Sequence, residues 1–358
     1  LGGPGSDTLL GGRGVDTVDY SGVTATGFIQ IDLGVGKADV EGFDTLISIE
    51  NAIGTNGDEW IWGSDWENHL QGLDGDDMMI GMSGADTLAG GAGDDTIVGD
   101  SNYDTVDFFG ASARVVVDLE AGTATGDSTD SLSGIEHVMG SDFGDYISGT
   151  LIHGNLLEGF AGNDTLTGLD GNDTLLGGDD DDTLNGGDDR DRLEGEAGSD
   201  VLAGGSHSDT LHGGAGDDTL NGGDDVDRLY GGAQDDVLDG GDATDFLTGG
   251  VGADTFVLSG IGDTGVGRWN RDEIRDFDAA EGDVINVYLV DADTTTGGNQ
   301  AFTYAGTSFT GTAGELILND YAFSGANVTI ASMDVDGDAV IDGQIYIVGG
   351  AVIGDFVL

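Results

Sequence analysis

An aspartate recurs at every ninth residue from Asp164 to Asp254, through Asp173, Asp182, Asp191, Asp200, Asp209, Asp218, Asp227, Asp236 and Asp245. Shorter runs keep the same spacing at Asp7 and Asp16, and at Asp77, Asp86, Asp95 and Asp104. From Gly159 to Val257 the chain reads as eleven nine-residue repeats, from GFAGNDTLT through GGAGDDTLN to GGVGADTFV. The sixth place is always Asp and the eighth always apolar, Leu in ten repeats and Phe256 in the last. Carboxylates at a short fixed period are hard oxygen donors. Brought together by folding, they repel strongly at close range unless something positive lies between them. That chemistry is cation binding.

The elements that must position these carboxylates follow from the other places. Glycine at the first, second and often fourth place permits positive φ and a tight turn. The x-apolar-x end of each repeat fits a short strand whose one apolar side chain points inward. Nine residues therefore make a turn and a strand, and two repeats close a coil of 18. Coils stacked at the strand spacing of about 4.8 Å put each Asp beside the one two repeats on, Asp164 beside Asp182 and Asp173 beside Asp191. Carboxylates and turn carbonyls suit Ca²⁺, which takes six to eight oxygens in flexible geometry. No His or Cys stands in register for zinc or copper, and Mg²⁺ demands tighter octahedral geometry. Turn capping by Asp does not explain a place that is Asp eleven times running.

These repeats resemble the repeats-in-toxin (RTX) nonapeptide GGxGxDxUx, a calcium-binding β-helix repeat. The resemblance implies an all-β fold: a parallel β-roll (a right-handed β-solenoid) of nonapeptides with a β-rich C-terminal cap. It also implies Ca²⁺ between turns, held by sixth-place Asp and backbone carbonyls. Carried over, the side-chain ligands are Asp7, Asp16, Asp77, Asp86, Asp95, Asp104 and every ninth residue from Asp164 to Asp254. Asp180, Asp189, His207, Asp225, Gln234 and Ala243 replace the fourth-place glycine. They are expected to take the turn under strain.

Three regions are expected. Residues 1–158 hold two long imperfect repeats with a period of about 87, since DTVDYSG at Asp16 recurs at Asp104 and NHLQGLDGDD at Asn68 recurs as NLLEGFAGND at Asn155. Each carries an alternating apolar segment, IQIDL at Ile29 or VVVDL at Val115, that reads as a strand extending or capping the roll. Residues 159–258 are the main roll. Residues 259–358 resemble the C-terminal region of serralysin-type proteases, which seals the end of the roll, with Ile274, Phe277, Val284 and Ile285 at the apolar places. The tail Asp355-Phe356-Val357-Leu358 resembles that family's type I secretion signal. Asp334, Asp336, Asp338 and Asp342 form a cluster readable as a calcium loop or a solvated turn. Leu1 reads as the start of a truncated or processed chain.

Composition excludes other classes. Asp and Glu number 70 against 9 Lys and Arg, a formal charge of −61, which repels nucleic acid. No run of about 18 apolar residues exists to cross a membrane as a helix. With no Cys there is no disulfide frame or thiolate site. The zinc helix H-E-x-x-H and the G-x-S-x-G elbow are absent, so no active site is read and the chain is taken as non-enzymatic. Among the five His, His207 and His212 read as solvent-facing turn residues. Trp60 and Trp62, flanking Ile61 with Trp66 close by, read as packing at the junction of roll and insert, or else as an aromatic platform for sugars or a protein. Arg268, Arg271 and Arg275 are expected to pair with carboxylates of the cap.

The resulting expectation is a calcium-binding RTX region of a Gram-negative bacterium's extracellular, secreted or cell-surface protein, folding on calcium after export. Its partners are calcium and the type I secretion machinery, with cell-surface polysaccharide or like chains as further candidates. The alternative is the C-terminal region of a secreted enzyme, a serralysin-type metalloprotease, lipase or alginate epimerase, with its catalytic domain upstream.

Overall fold

The computed structural model describes residues 5–24, 29–40, 42–126, 128–258 and 272–287, and then 303–306, 308, 313, 315–323, 326–334 and 343–357. These are strands and turns, with one short 3-10 turn at Ile353–Asp355. Asp and Gly favour turns over helix, and one apolar residue per repeat gives no helical stripe. The chain divides into two compact units, Leu1–Gly168 and Leu169–Leu358.

In the second unit each coil gives one strand to each of two parallel sheets. One sheet stacks Thr183–Asp188, Val201–Ser206, Thr219–Gly223, Val237–Gly241 and Thr255–Val257. The other stacks Thr174–Asp179, Arg192–Ala197, Thr210–Ala215, Arg228–Ala233 and Phe246–Val251. The register is 18 residues, so Leu184, Leu202, Leu220, Leu238 and Phe256 form one inward row. Leu175, Leu193, Leu211, Leu229 and Leu247 form another, and every member of both rows is buried. This is a parallel β-roll.

The strands are longer than the three residues expected. Most span six, as in Thr210–Ala215, because the glycine pair of the next repeat continues the ladder. The two glycines do different work. The second has positive φ, +119° at Gly214. The first has ordinary φ, and its missing Cβ matters instead: at Gly213 a Cβ would lie 2.4 Å from Asp218 Oδ2 and 2.7 Å from the Gly231 carbonyl oxygen. At the fourth place Asp180, Asp189, His207, Asp225, Gln234 and Ala243 all take φ between +71° and +100°, a costly conformation for non-glycine residues.

The coils continue beyond the nonapeptides. Ile274 pairs with Leu247 and Ile285 with Phe256. Gly343–Val348 and Phe356–Val357 then pair with those two strands, and Gly343–Val348 also edges an antiparallel sheet with Ala326–Asp334 and Glu315–Phe323. Ile274, Phe277 and Ile285 are buried, while Val284 faces outward and is half-buried. Arg275 pairs with Glu273 at 3.2 Å and lies over the Phe246 ring. Arg268, Arg271, Asp336, Asp338, Asp342 and Leu358, and the Asp334 side chain, lie outside the described residues.

The first unit uses the same coil with two insertions, one in each long repeat. In one sheet Thr8–Leu10 runs parallel to Phe43–Ile47, followed by antiparallel Lys37–Asp39 and Ile29–Asp32, and then parallel Glu59–Ser64. The pattern returns as Thr96–Ser101, Thr129–Ser133, Thr123–Thr125, Val116–Asp118 and Tyr146–Ser148. The facing sheet passes both insertions with parallel pairing only, Asn51–Ile53 against His69–Asp74 and His137–Met139 against Leu156–Ala161. The two alternating apolar segments thus extend one sheet of the roll.

Two readings of side chains need correction. Trp60 and Trp62 stand opposite Gln30 and Asp32 of the inserted strand, but on its outer face. Strand alternation buries Ile61 between them, and Trp60 and Trp66 are exposed, by 42% and 74%. His207 is an exposed turn residue. His212 is not: it lies in strand Thr210–Ala215, half-buried, with its ring stacked on Tyr230 of the next coil at 4.5 Å.

Candidate metal centres along the turns

The sixth-place aspartates line up in columns because the coil period is twice the repeat. In the second unit the Asp191 N–H donates to Asp209 Oδ1 at 2.8 Å, Asp209 to Asp227 at 2.7 Å, and Asp227 to Asp245 at 2.8 Å. The neighbouring column links Asp182, Asp200, Asp218, Asp236 and Asp254 in the same way, and Asp173 donates to Asp191. In the first unit Asp77 donates to Asp95 and Asp86 to Asp104, both at 2.8 Å. Asp164 Oδ1 accepts from the Asp145 N–H. Asp7 and Asp16 are half-buried, and their N–H groups donate to Asp44 and Glu50 rather than to another nonapeptide Asp.

One carboxylate oxygen is thereby committed to the preceding coil. The other is not. Oδ2 of Asp77, Asp86, Asp95, Asp104, Asp191, Asp200, Asp209, Asp218, Asp227 and Asp236 is buried with no hydrogen-bond donor. Each of these oxygens lies over the first glycine of its own repeat, where a Cβ would fall between 2.0 and 2.6 Å from it. In the main array the first-place carbonyl of the following coil reaches the same space, as Gly204 O does beside Gly186 at 2.6 Å.

Burial pushes these carboxyls far above the usual carboxylate range, and neighbouring carboxylates add to the rise in most of them. Asp77, Asp191 and Asp227 rise to about 8. Asp86, Asp95, Asp209, Asp218 and Asp236 rise to about 7, and Asp104 and Asp254 to about 6. A buried carboxylate with one oxygen unsatisfied is costly unless it is protonated or meets a cation.

The donor set is all oxygen. Among the described residues no three His, Cys, Asp or Glu side chains gather at one point. An ion here would therefore draw one or two carboxylates and complete its shell from backbone carbonyls. That fits a hard cation with a high, adaptable coordination number, Ca²⁺ before Mg²⁺, and not a thiolate- or imidazole-seeking metal.

The columns also contain residues that a search for Asp at every ninth place of the glycine-rich repeats does not reveal. Asp44, Asp130, Asp272 and Asp283 accept the N–H of Asp7, Asp95, Asp245 and Asp254. Glu50 and Glu136 accept those of Asp16 and Asp104. Glu59, Asn68 and Asp145 donate into the same ladders, to Asp77, Asp86 and Asp164. A legible signal existed for the aspartates: Asp44-Thr45-Leu46, Asp130-Ser131-Leu132, Asp145-Tyr146-Ile147, Asp272-Glu273-Ile274 and Asp283-Val284-Ile285 keep the D-x-apolar half of the repeat without the glycine pair at its first two places.

The family profile of the RTX calcium-binding nonapeptide repeat matches residues 1–22, 53–88, 71–106, 158–193, 185–220 and 221–256. No curated protein matches the chain. Among solved structures, a subunit of the mannuronan C5-epimerase from Azotobacter vinelandii is 28% identical over 43% of this chain and 80% of its own, with a TM-score of 0.32. An extracellular lipase from Serratia marcescens is 15% identical over 86% of this chain and 40% of its own, with a TM-score of 0.15. The matched repeats coincide with the coils whose aspartates form the buried columns, and on that agreement the chain belongs to the RTX-type calcium-binding repeat proteins.

Proposed function

We propose that this chain is the calcium-binding region of a protein secreted by, or displayed on, a Gram-negative bacterium, and that calcium drives its folding after type I export into a rigid extracellular module. The side-chain ligands are the sixth-place aspartates, each giving its second oxygen, with turn carbonyls completing each site. The main array then offers roughly nine inter-turn positions. Residues 159–258 are the calcium-loaded roll, 1–158 its strand-interrupted extension and 259–358 its cap and export region.

The observation that carries this reading is the unsatisfied Oδ2, repeated turn after turn in buried aspartates. Where calcium is scarce, the ionised columns repel and the chain stays open, a form suited to passage through a narrow channel. Calcium supplies the positive charge and oxygen-seeking coordination that such columns lack. Each Asp can then keep its Oδ1 contact to the preceding coil while remaining ionised. Binding free energy becomes folding free energy. One apolar side chain buried per nine ordered residues is a thin core, because ordering costs accrue at every residue.

Isothermal titration of the chelated chain with Ca²⁺, Mg²⁺ and Zn²⁺, read alongside circular dichroism, tests the proposal. Several Ca²⁺ per chain should bind together with a gain of β signal, and neither other ion should give that gain at equal concentration. Folding by Zn²⁺ at equal or lower concentration would refute the oxygen-ligand assignment.

A further inference from the structure

Four turns of the first unit fill the space that the nonapeptides leave empty. Around Glu59, the Thr55 N–H donates to Oε2 at 3.0 Å and the Thr55 hydroxyl to Oε1 at 2.5 Å. Around Asp145, the Ser141 N–H donates to Oδ2 at 2.6 Å and its hydroxyl to Oδ1 at 2.9 Å, with the Val115 N–H adding a third donor. At the other two turns the column residue is a neutral amide. Asn68 Oδ1 accepts from the Ser64 N–H at 2.6 Å, and its Nδ2 donates to the Glu50 carbonyl. Asn155 Oδ1 accepts from the Thr150 N–H at 2.8 Å, and its Nδ2 donates to the Glu136 carbonyl.

The local cause is the residue after the first glycine. In the nonapeptides of the main array it has positive φ, and no N–H reaches the buried Oδ2 of Asp191, Asp200, Asp209, Asp218, Asp227 or Asp236. Thr55, Ser64, Ser141 and Thr150 occupy that place after Gly54, Gly63, Gly140 and Gly149, and none has positive φ. Their N–H groups turn onto the side-chain oxygen, and the hydroxyls add a second contact. The column residue still faces the first glycine, as Asp145 Oδ2 does at 2.7 Å from a Cβ on Gly140. The arrangement is duplicated: Thr55, Glu59, Ser64 and Asn68 recur as Ser141, Asp145, Thr150 and Asn155, 86 or 87 residues on. Both sets flank an inserted hairpin.

We infer that these four turns are calcium-independent clasps, in which a Ser or Thr takes the place of the ion, and that they divide the calcium-binding turns of the first unit into separate runs. The inference rests on the calcium-folding reading above for the contrast it draws. Two of the four carry no charge at all, and the other two have each carboxylate oxygen occupied by a protein donor. They hold the coils on either side of each insertion when calcium is withdrawn. The runs Asp7–Asp16 and Asp77–Asp104 are then set apart by the Glu59 and Asn68 clasps, and the second run ends before those of Asp145 and Asn155.

Hydrogen exchange of the full chain in chelator and in saturating Ca²⁺ tests this. In chelator the amides of segments 51–70 and 137–157 should exchange at least tenfold more slowly than those of 171–257, and calcium should remove the difference. A chain with Thr55→Gly, Ser64→Gly, Ser141→Gly and Thr150→Gly should lose that protection in chelator while keeping the calcium midpoint of the main array. Thr55→Ser, which retains both donors, should behave as the parent. Equal exchange of clasps and array in chelator overturns the inference. If both are open, calcium-driven folding stands; if both are closed, that reading falls as well.

Discussion

Each sixth-place Asp splits its work between two oxygens. Asp209 Oδ1 accepts the Asp191 N–H, while Oδ2 is left for an ion. Asp209→Ala removes both functions and strands a buried N–H, a loss of about 1–3 kcal/mol. Asp209→Asn keeps an acceptor for that N–H but gives up the charge. At saturating calcium, thermal melts should therefore show a larger fall for Asp209→Ala than for Asp209→Asn, with both binding fewer ions than the parent. Equal melts for the two variants would show that Oδ1 contributes nothing to the ladder. The glycines are just as specific. Gly213→Ala drives a Cβ against Asp218 Oδ2 and backbone and should cost about 1–3 kcal/mol. Gly110→Ala, with open space around it and ordinary φ, should stay within about 0.5 kcal/mol. Chemical denaturation in calcium measures both.

At the scale of elements, the Asp and Leu period was enough to read the 18-residue coil, the inward rows and the columns. The parts that escaped the reading are those where half of the pattern is lost. Asp272 and Asp283 keep D-x-apolar without the glycine pair, so the nine-residue period ends near Gly260, yet Ile274 and Ile285 continue the rows of Leu247 and Phe256. Thr55, Ser64, Ser141 and Thr150 replace a glycine with a donor, a change of turn conformation that period counting does not register. The exposure of Trp60 follows from strand parity once Ile61 is placed inward, whereas the general preference for burying tryptophan pointed the other way. The strands after the array lead to a prediction. Truncation after Ser259 strips the layer from Phe256 and Leu247. Uncovering one large apolar side chain costs about 1.5–3 kcal/mol, and neighbouring repeats share stability. The calcium concentration at half-folding should rise about tenfold or more, as read by circular dichroism. An unchanged midpoint would mean that residues after 259 serve export alone.

The whole molecule carries a formal charge of −61, with 9 basic residues to offset it. Monovalent salt screens exposed charges over about 10 Å at 0.1 M but does not reach the buried columns. The pH response follows from carboxyls such as Asp191 and Asp227, raised to about 8, and Asp209, to about 7. Without calcium the folded chain binds protons more tightly than the unfolded one. Its stability is greatest below the ordinary Asp value near 3.8 and is lost as pH rises through about 6 to 8. The chelated chain should thus gain β structure on acidification from pH 9 to pH 5, while the affinity of the folded columns for calcium should rise with pH, because protons compete for the same oxygens. A flat response in chelator would remove the buried carboxylates as the controlling groups. The most direct measurement is the far-UV circular dichroism of the intact chain at pH 8, in chelator with 1 M NaCl and then in millimolar Ca²⁺. The columns predict little β signal in the first solution and a cooperative gain in the second. Equal β content in both would contradict calcium-driven folding.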